Sequence, residues 1–237
     1  MDSLMQTLVH RTSSSVVLFD HPYNDPDEGT RLEFRLTYEG HLLGASKTHT
    51  RASHKHDIRK VFHPQLKRLW EITPHLSSAR DPLPQSEILV NGERNGPPRK
   101  SMLAELADRF VRNGFRFIPL ATEDLSLICG IEILFLRPDH PGAVLRSGDI
   151  DNRLKTLFDA LRIPSIGELG NHSPTPTDDE DPFYVLLEDD KLVTRLSVET
   201  DTLLQPTGEK PNRNDARLVI TVKLRPAELS WKNIVFG

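Results

Sequence analysis

The segment Leu125–Leu136 is almost unbroken in apolar residues, interrupted only by Ser126, Gly130 and Glu132. A run of that kind suits a strand covered on both faces, so it predicts the middle of a sheet with other elements layered over it. Phe115–Leu120, just before it, reads as a neighbouring strand. Two alternating segments supply further candidates: Arg31–Tyr38 puts Leu32, Phe34, Leu36 and Tyr38 on one face, and Arg217–Leu224 does the same with Leu218, Ile220, Val222 and Leu224. Phe183–Leu187 and Leu192–Thr200 complete the set. Helices are predicted from about 57 to 72, from Ser101 to the Asn113-Gly114 stop, and from Asp151 to just before Pro164. The resulting class is α/β in the α+β sense, a small mixed sheet packed against a few helices. Glu132 is either a solvent-side residue, the preferred reading, or a further acid near a site.

Domain limits follow from where this patterning starts and stops. Residues 1–30 read as an N-terminal arm, 31–225 as one domain, and 226–237 as a tail. Residues 73–100 are rich in Pro and Asn-Gly pairs and read as loop apart from Ile88–Val90, while 163–182 is a long polar connection whose Asp178–Asp181 run is expected to be solvated. No internal repeat is found. At 37% hydrophobic and 27% charged, the chain has a modest core and extensive loops. The single Cys129 excludes an intramolecular disulfide and sits in the apolar run as a small hydrophobe. No segment is long and apolar enough to span a membrane, and no secretion signal is visible, so a cytoplasmic location is expected.

Charge is unevenly spread although the net charge is only −4. Between His41 and Arg68 lie Lys47, Arg51, Lys55, Arg59, Lys60, Lys67 and Arg68, with five histidines, against the single acid Asp57. Either this is a phosphate-binding surface or it is a solvated helix face with a polar loop. His54-Lys55-His56 lacks a partner at ligand spacing, which argues against a metal site there.

The chemistry points instead to Asp149-Ile150-Asp151-Asn152-Arg153-Leu154-Lys155. Leu154, Leu157, Phe158 and Leu161 form a helical apolar face, while Asp151, Lys155 and Asp159 step by four along another. Two carboxylates, an amide and an ammonium thus meet at one helix start, where the dipole favours negative charge. An acidic N-cap above a Lys155/Asp159 pair would explain this without function. A second cluster, Glu188-Asp189-Asp190, changes the balance, because hard oxygen ligands from two places in the chain suit Mg²⁺ bound to phosphate.

The order strand, basic helix, strand, Asp-x-Asp-Asn-x-x-Lys helix and Asp-Asp followed by strands resembles the RusA family of Holliday junction resolvases. The matching text is Asp149–Lys155 with Phe158-Asp159-Ala160-Leu161, then Glu188-Asp189-Asp190-Lys191-Leu192-Val193. The resemblance implies a Mg²⁺-dependent endonuclease, with Mn²⁺ as a substitute, that cuts branched DNA as a homodimer in recombination or repair. It implies that Asp149, Asp151 and Asp190 hold the metal and, with Lys155, carry catalysis, while Asn152 and Asp189 support them. Arg146 and Arg153, with Lys55, Arg59 and Lys60 on the basic helix, are expected to contact the DNA backbone. A non-catalytic branched-DNA binder and a metal-dependent nucleotidyl or glycosyl transferase are the alternatives.

Overall fold

The computed structural model describes residues 32–45, 51–81, 100–138, 149–169, 175–209, 212–228, 230 and 233. The expectations for the arm, for Ile88–Val90 and for most of the tail lie outside these residues, and so does Arg146.

The alternating and apolar segments do form strands, but in two sheets where one was expected. The larger contains β1 (Leu32–His41), β4 (Leu127–Arg137), β6 (Val193–Thr202) and β7 (Asp215–Pro226) in the order β1-β7-β4-β6. The smaller contains β2 (Val111–Arg112), β3 (Phe115–Ala121) and β5 (Phe183–Leu187) in the order β2-β3-β5. β4 lies inside the larger sheet, antiparallel to β7 and parallel to β6. Parallel neighbours need a long crossover, and here it contains helix α4 (Asp149–Leu161) and β5. β4 alternates Leu127, Cys129, Ile131, Ile133 and Phe135 into the core with more exposed residues between them. Glu132 is on that outer face, its carboxylate accepting from Lys223 Nζ at 2.9 Å, as the solvent-side reading expected.

Helix α1 (Ala52–Ile72) starts earlier than predicted and ties the layers together. It is followed by the short α2 (Pro74–Ser77), and α3 (Met102–Arg109) is capped by the Ser101 side chain. α1 buries Ile58, Phe62, Leu66, Leu69 and Trp70 at the three- and four-residue spacing of one apolar face. Two histidines join that face. His63 Nδ1 accepts from the Tyr184 N–H at 2.9 Å, which leaves Nε2 protonated to donate to the Asp179 carbonyl at 2.9 Å. His56 is packed against Phe115 and Phe183, with ring centroids 5.3 and 5.8 Å away, and neither of its ring nitrogens has a hydrogen-bond partner among the described residues.

α1 also closes one edge of the larger sheet. The Gln65 carboxamide accepts from the Thr37 N–H at 2.9 Å and donates to the Thr37 carbonyl at 2.8 Å, occupying the outward backbone groups of that residue in the middle of β1. The expected solvation of the Asp178–Asp181 run needs one correction: Glu180 is buried, holds the Thr177 capping box and pairs with Lys60 at 3.0 Å.

Burial pushes the imidazoles of His56, to about 4, and of His63 below their ordinary value. The unfolded chain therefore takes up these protons first, so stability is complete above about pH 6.5 and is lost as pH falls toward 4. His56 alone accounts for a loss on the order of 3 kcal/mol. Urea denaturation at pH 7 and pH 5 should show about 2 kcal/mol of this loss from His56, the rest coming below pH 5, and His56→Leu should lose distinctly less over the same interval.

Candidate functional site

α4 carries the Asp-x-Asp-Asn-x-x-Lys segment, and its position follows from what each end touches. At its start the Asn152 carbonyl accepts from the Ala45 N–H at 2.7 Å, and Arg153 Nη2 donates to the Arg213 carbonyl at 3.1 Å. Leu42 N–H bonds Asn214 O and Leu203 N–H bonds Arg137 O. These contacts all belong to the end of the larger sheet where β1, β4 and β6 finish and β7 begins. At the other end of α4, Arg162 bridges to Leu187, and the Ile163 N–H donates to the Leu187 carbonyl at 3.0 Å. Glu188 N–H then bonds Ala121 O, and the chain from Ala121 turns directly into the start of β4. α4 therefore runs antiparallel to β4.

The exposed face of α4 matches the predicted stripe at its first two positions. Asp151, Asn152 and Lys155 are exposed, while Ile150, Arg153, Thr156, Leu157, Ala160 and Leu161 are buried. Neither Asp151 nor Lys155 forms an ion pair among the described residues. The backbone of Asp149 opens the helix, and its side chain lies outside the described residues. Asp159 departs from the stripe: it is half-buried and pairs with Lys55 at 2.7 Å and Arg162 at 2.6 Å, rather than with Lys155. Burial pushes its carboxyl up, but these two cations outweigh burial and hold it below the usual carboxylate range.

The second acidic cluster stands at the far end of that helix. Asp190 opens a 3₁₀ turn, Asp190–Leu192, leading into β6, where Val193 lies opposite Cys129 near the start of β4. The Asp190 charge acts on the Arg162 guanidinium, just past the end of α4. At 1.5 Å per residue, Asp151 and Arg162 are about 16 Å apart along the axis. A single protomer thus separates Asp151 from Asp190 by roughly the length of α4, and the expected meeting of these two carboxylates does not occur within it. Among the described residues, no three His, Cys, Asp or Glu side chains gather as a metal-binding group.

Around the second cluster the carboxylates have local tasks. Asp189 Oδ1 accepts from the Lys191 N–H at 3.0 Å, and Glu188 Oε2 from the Glu123 N–H at 3.0 Å. Together with Arg112 and Arg162 they border a cleft of about 310 Å³ beside the carboxyl ends of the parallel strands β3 and β5. Asp190 itself is exposed.

Two of the expected DNA contacts need correction. Arg59 and Arg153 are 1% and 2% exposed, so neither guanidinium reaches a surface where a phosphate backbone could lie. Arg59 Nη2 donates to the Asp159 carbonyl at 2.7 Å and meets Glu168 at 3.4 Å, while burial pulls its pKa down to about 10. Lys55 and Lys60 are committed to Asp159 and Glu180. Both readings of the basic segment therefore change, because much of its charge is neutralised by acids more than a hundred residues away in the chain. No spacing rule links such residues.

Sequence reasoning missed a polar pair beside the start of α4. His41 Nε2 stands 3.2 Å from Oδ1 of the buried Asp215. Burial raises the Asp215 carboxyl, but hydrogen bonds from Asn212 and Thr207 and the His41 charge prevail and keep it low. The strand alternation placed Leu218 onward and gave no sign of this opening residue.

No protein-family model matches the chain, and no curated protein or solved structure was found to match it.

Glu168→Ala should destabilise the protein by about 3 kcal/mol or more, because it strips a buried guanidinium of its carboxylate. Arg68→Ala, which opens an exposed pair with Glu71, should cost under about 1 kcal/mol. Urea titration of both variants at pH 7 measures the contrast.

Proposed function

We propose that this chain is a Mg²⁺-dependent endonuclease acting on branched DNA, with each metal site shared between the two protomers of a two-fold pair. The observation that carries this reading is the array of Asp151, Asn152 and Lys155 at the start of α4. These polar side chains are exposed, and Asp151 and Lys155 spend no charge on ion pairs among the described residues. By contrast Asp159, two turns further on, is fully engaged with Lys55 and Arg162.

The donor set suits a hard divalent cation, because the exposed Asp151 carboxylate at the positive end of a helix has no ion-pair partner among the described residues to neutralise it. Asp149 and Asp151 of one protomer and Asp190 of the partner subunit would hold the ion. Bound there, Mg²⁺ would supply polarisation of the scissile phosphate and a water of lowered pKa. Lys155, one turn beyond Asp151, offers an ammonium that offsets negative charge gathering on the phosphate during displacement. Asn152 adds an uncharged polar group at the same helix start, and Asp189 shapes the turn that presents Asp190.

Sharing follows from the separation within one protomer. If the second carboxylate comes from a partner, a two-fold axis produces two equivalent sites, which suits paired cuts in a four-way junction. Neither protomer alone would then be competent.

Asp151→Asn and Asp190→Asn, each tested alone on a labelled four-way junction with Mg²⁺, should lose activity by at least about a hundredfold while still binding the DNA. Mixed and allowed to exchange subunits, they should recover about a quarter of wild-type nicking, since half the pairs are mixed and each has one intact site. An active Asp151→Asn protein, or a mixture as inactive as its components, would overturn the reading.

A further inference from the structure

We infer that β6 is the surface through which two copies of this chain associate, pairing edge to edge and antiparallel with Arg195 opposite Glu199 of the partner subunit. The larger sheet has two terminal strands, and they are treated differently. The backbone of β1 is closed off at Thr37 by the Gln65 carboxamide. β6 has no strand on its outer side among the described residues. It is also ten residues long, against about five or six for an ordinary strand. Four consecutive residues, Thr194 to Ser197, are exposed, and Leu196 is 47% exposed on the face that otherwise carries the core. An open edge of this length is a template for another strand.

What selects a second copy as the occupant is the strand's complementarity to itself. Antiparallel partners share a face, and a two-fold axis then requires some residue of β6 to stand opposite its own mate. With Ser197 on the axis, Arg195 stands opposite the partner's Glu199, and by symmetry Glu199 stands opposite the partner's Arg195. Opposed charges on directly facing residues stabilise a strand pair. The same register sets Leu196 against the partner's Val198, twice, on the inner face.

The faces agree with this arrangement. Gly130, Glu132 and Leu134 on the outer side of β4 are in register with Arg195, Ser197 and Glu199, while Ile131 and Ile133 on the core side are in register with Leu196 and Val198. Charges therefore meet charges on the outside, and aliphatic groups meet below. Centred on Leu196, Arg195 faces the partner's Ser197 and the charge pair is lost; centred on Val198, Arg195 faces the partner's Asp201, but Leu196 faces the partner's Thr200 and Glu199 faces the partner's Ser197, so only the axis at Ser197 matches both the charged and the aliphatic residues.

This register has a consequence for catalysis that rests on the proposed nuclease reading. The start of β6, where an extra residue between Val193 and Arg195 interrupts the regular register, lies beside the end of the partner's β6, near the partner's Asp201. Asp190 precedes Val193, so it projects toward the end of the partner's sheet where Leu203 bonds Arg137 and α4 begins. Edge pairing thereby carries Asp190 to the same end of the assembly as the partner's Asp151.

The test is a cysteine at the axis. Ser197→Cys places two thiols on directly opposed residues, whose Cα atoms in an antiparallel pair are about 4.5 to 5.5 Å apart and within disulfide range. The native Cys129 is buried, and burial pushes its thiol up to about 12, so it does not compete. Under mild oxidation Ser197→Cys should run mostly as a reducible covalent dimer on a non-reducing gel, whereas Thr202→Cys, far from its own mate in this register, should stay monomeric. Arg195→Glu should shift the native protein to monomer in sedimentation, and Arg195→Glu with Glu199→Arg should restore the dimer. A Ser197→Cys protein that does not cross-link, or one that does so no better than Thr202→Cys, would overturn the interface. Cross-linking together with an inactive mixture of Asp151→Asn and Asp190→Asn would uphold the interface and refute the shared metal site.

Discussion

The hydrogen bond from the Ile163 N–H to the Leu187 carbonyl fixes the relation on which the rest of this structure depends. It ties the end of α4 to the end of β5, and so holds the acidic turn that follows β5 at the far end of the helix from Asp151. Contacts at the opposite end of α4, from Ala45 to Asn152 and from Arg153 to Arg213, keep the helix from sliding. With both ends anchored, the two acidic clusters are held apart as rigidly as the helix itself. Any chemistry that needs both must recruit the second from outside the protomer.

The ionic interior explains why so basic a segment leaves so little basic surface. Lys55, Arg59 and Arg162 converge on Asp159 and Glu168, with Arg59 and Glu168 almost fully enclosed. Removing charges from water is costly, and the arrangement holds because each cation faces at least one carboxylate at close range. This network joins α1 to α4 and to the turn after it. It also separates two kinds of charged residue on α4: Asp159 is consumed by the network, whereas Asp151 and Lys155 are exposed.

Much of the fold could be read from the chain. The unbroken run around Ile131 correctly indicated an interior strand, and the alternation of Leu32 to Tyr38 and of Leu218 to Leu224 gave the two strands that pair as β1 and β7. Periodicity reports which face of an element is buried, so it succeeded wherever burial was the issue. It could not divide the strands between two sheets, because β3 and β4 are both apolar and only the turn between them decides that they part. The buried arginines were missed for a related reason. Their partners come from distant segments, and an Arg stripe on a helix looks the same whether it faces water or a buried carboxylate. In the candidate site the chain revealed the residue types and the helix start, but distance along a helix in a folded protomer depends on direction, which the sequence pattern did not supply.

One edge of the larger sheet is covered at Thr37 by Gln65, and the other, β6, has no strand beyond it among the described residues; under the proposed pairing that edge brings the acidic clusters of two copies together. The most direct measurement is the nicking rate per protomer as the protein is diluted, with the dimer fraction followed by sedimentation over the same range. The rate per protomer should fall in proportion to the dimer fraction at saturating Mg²⁺. A rate per protomer that stays constant where the protein is monomeric would show that one chain holds a complete site, and would contradict the account.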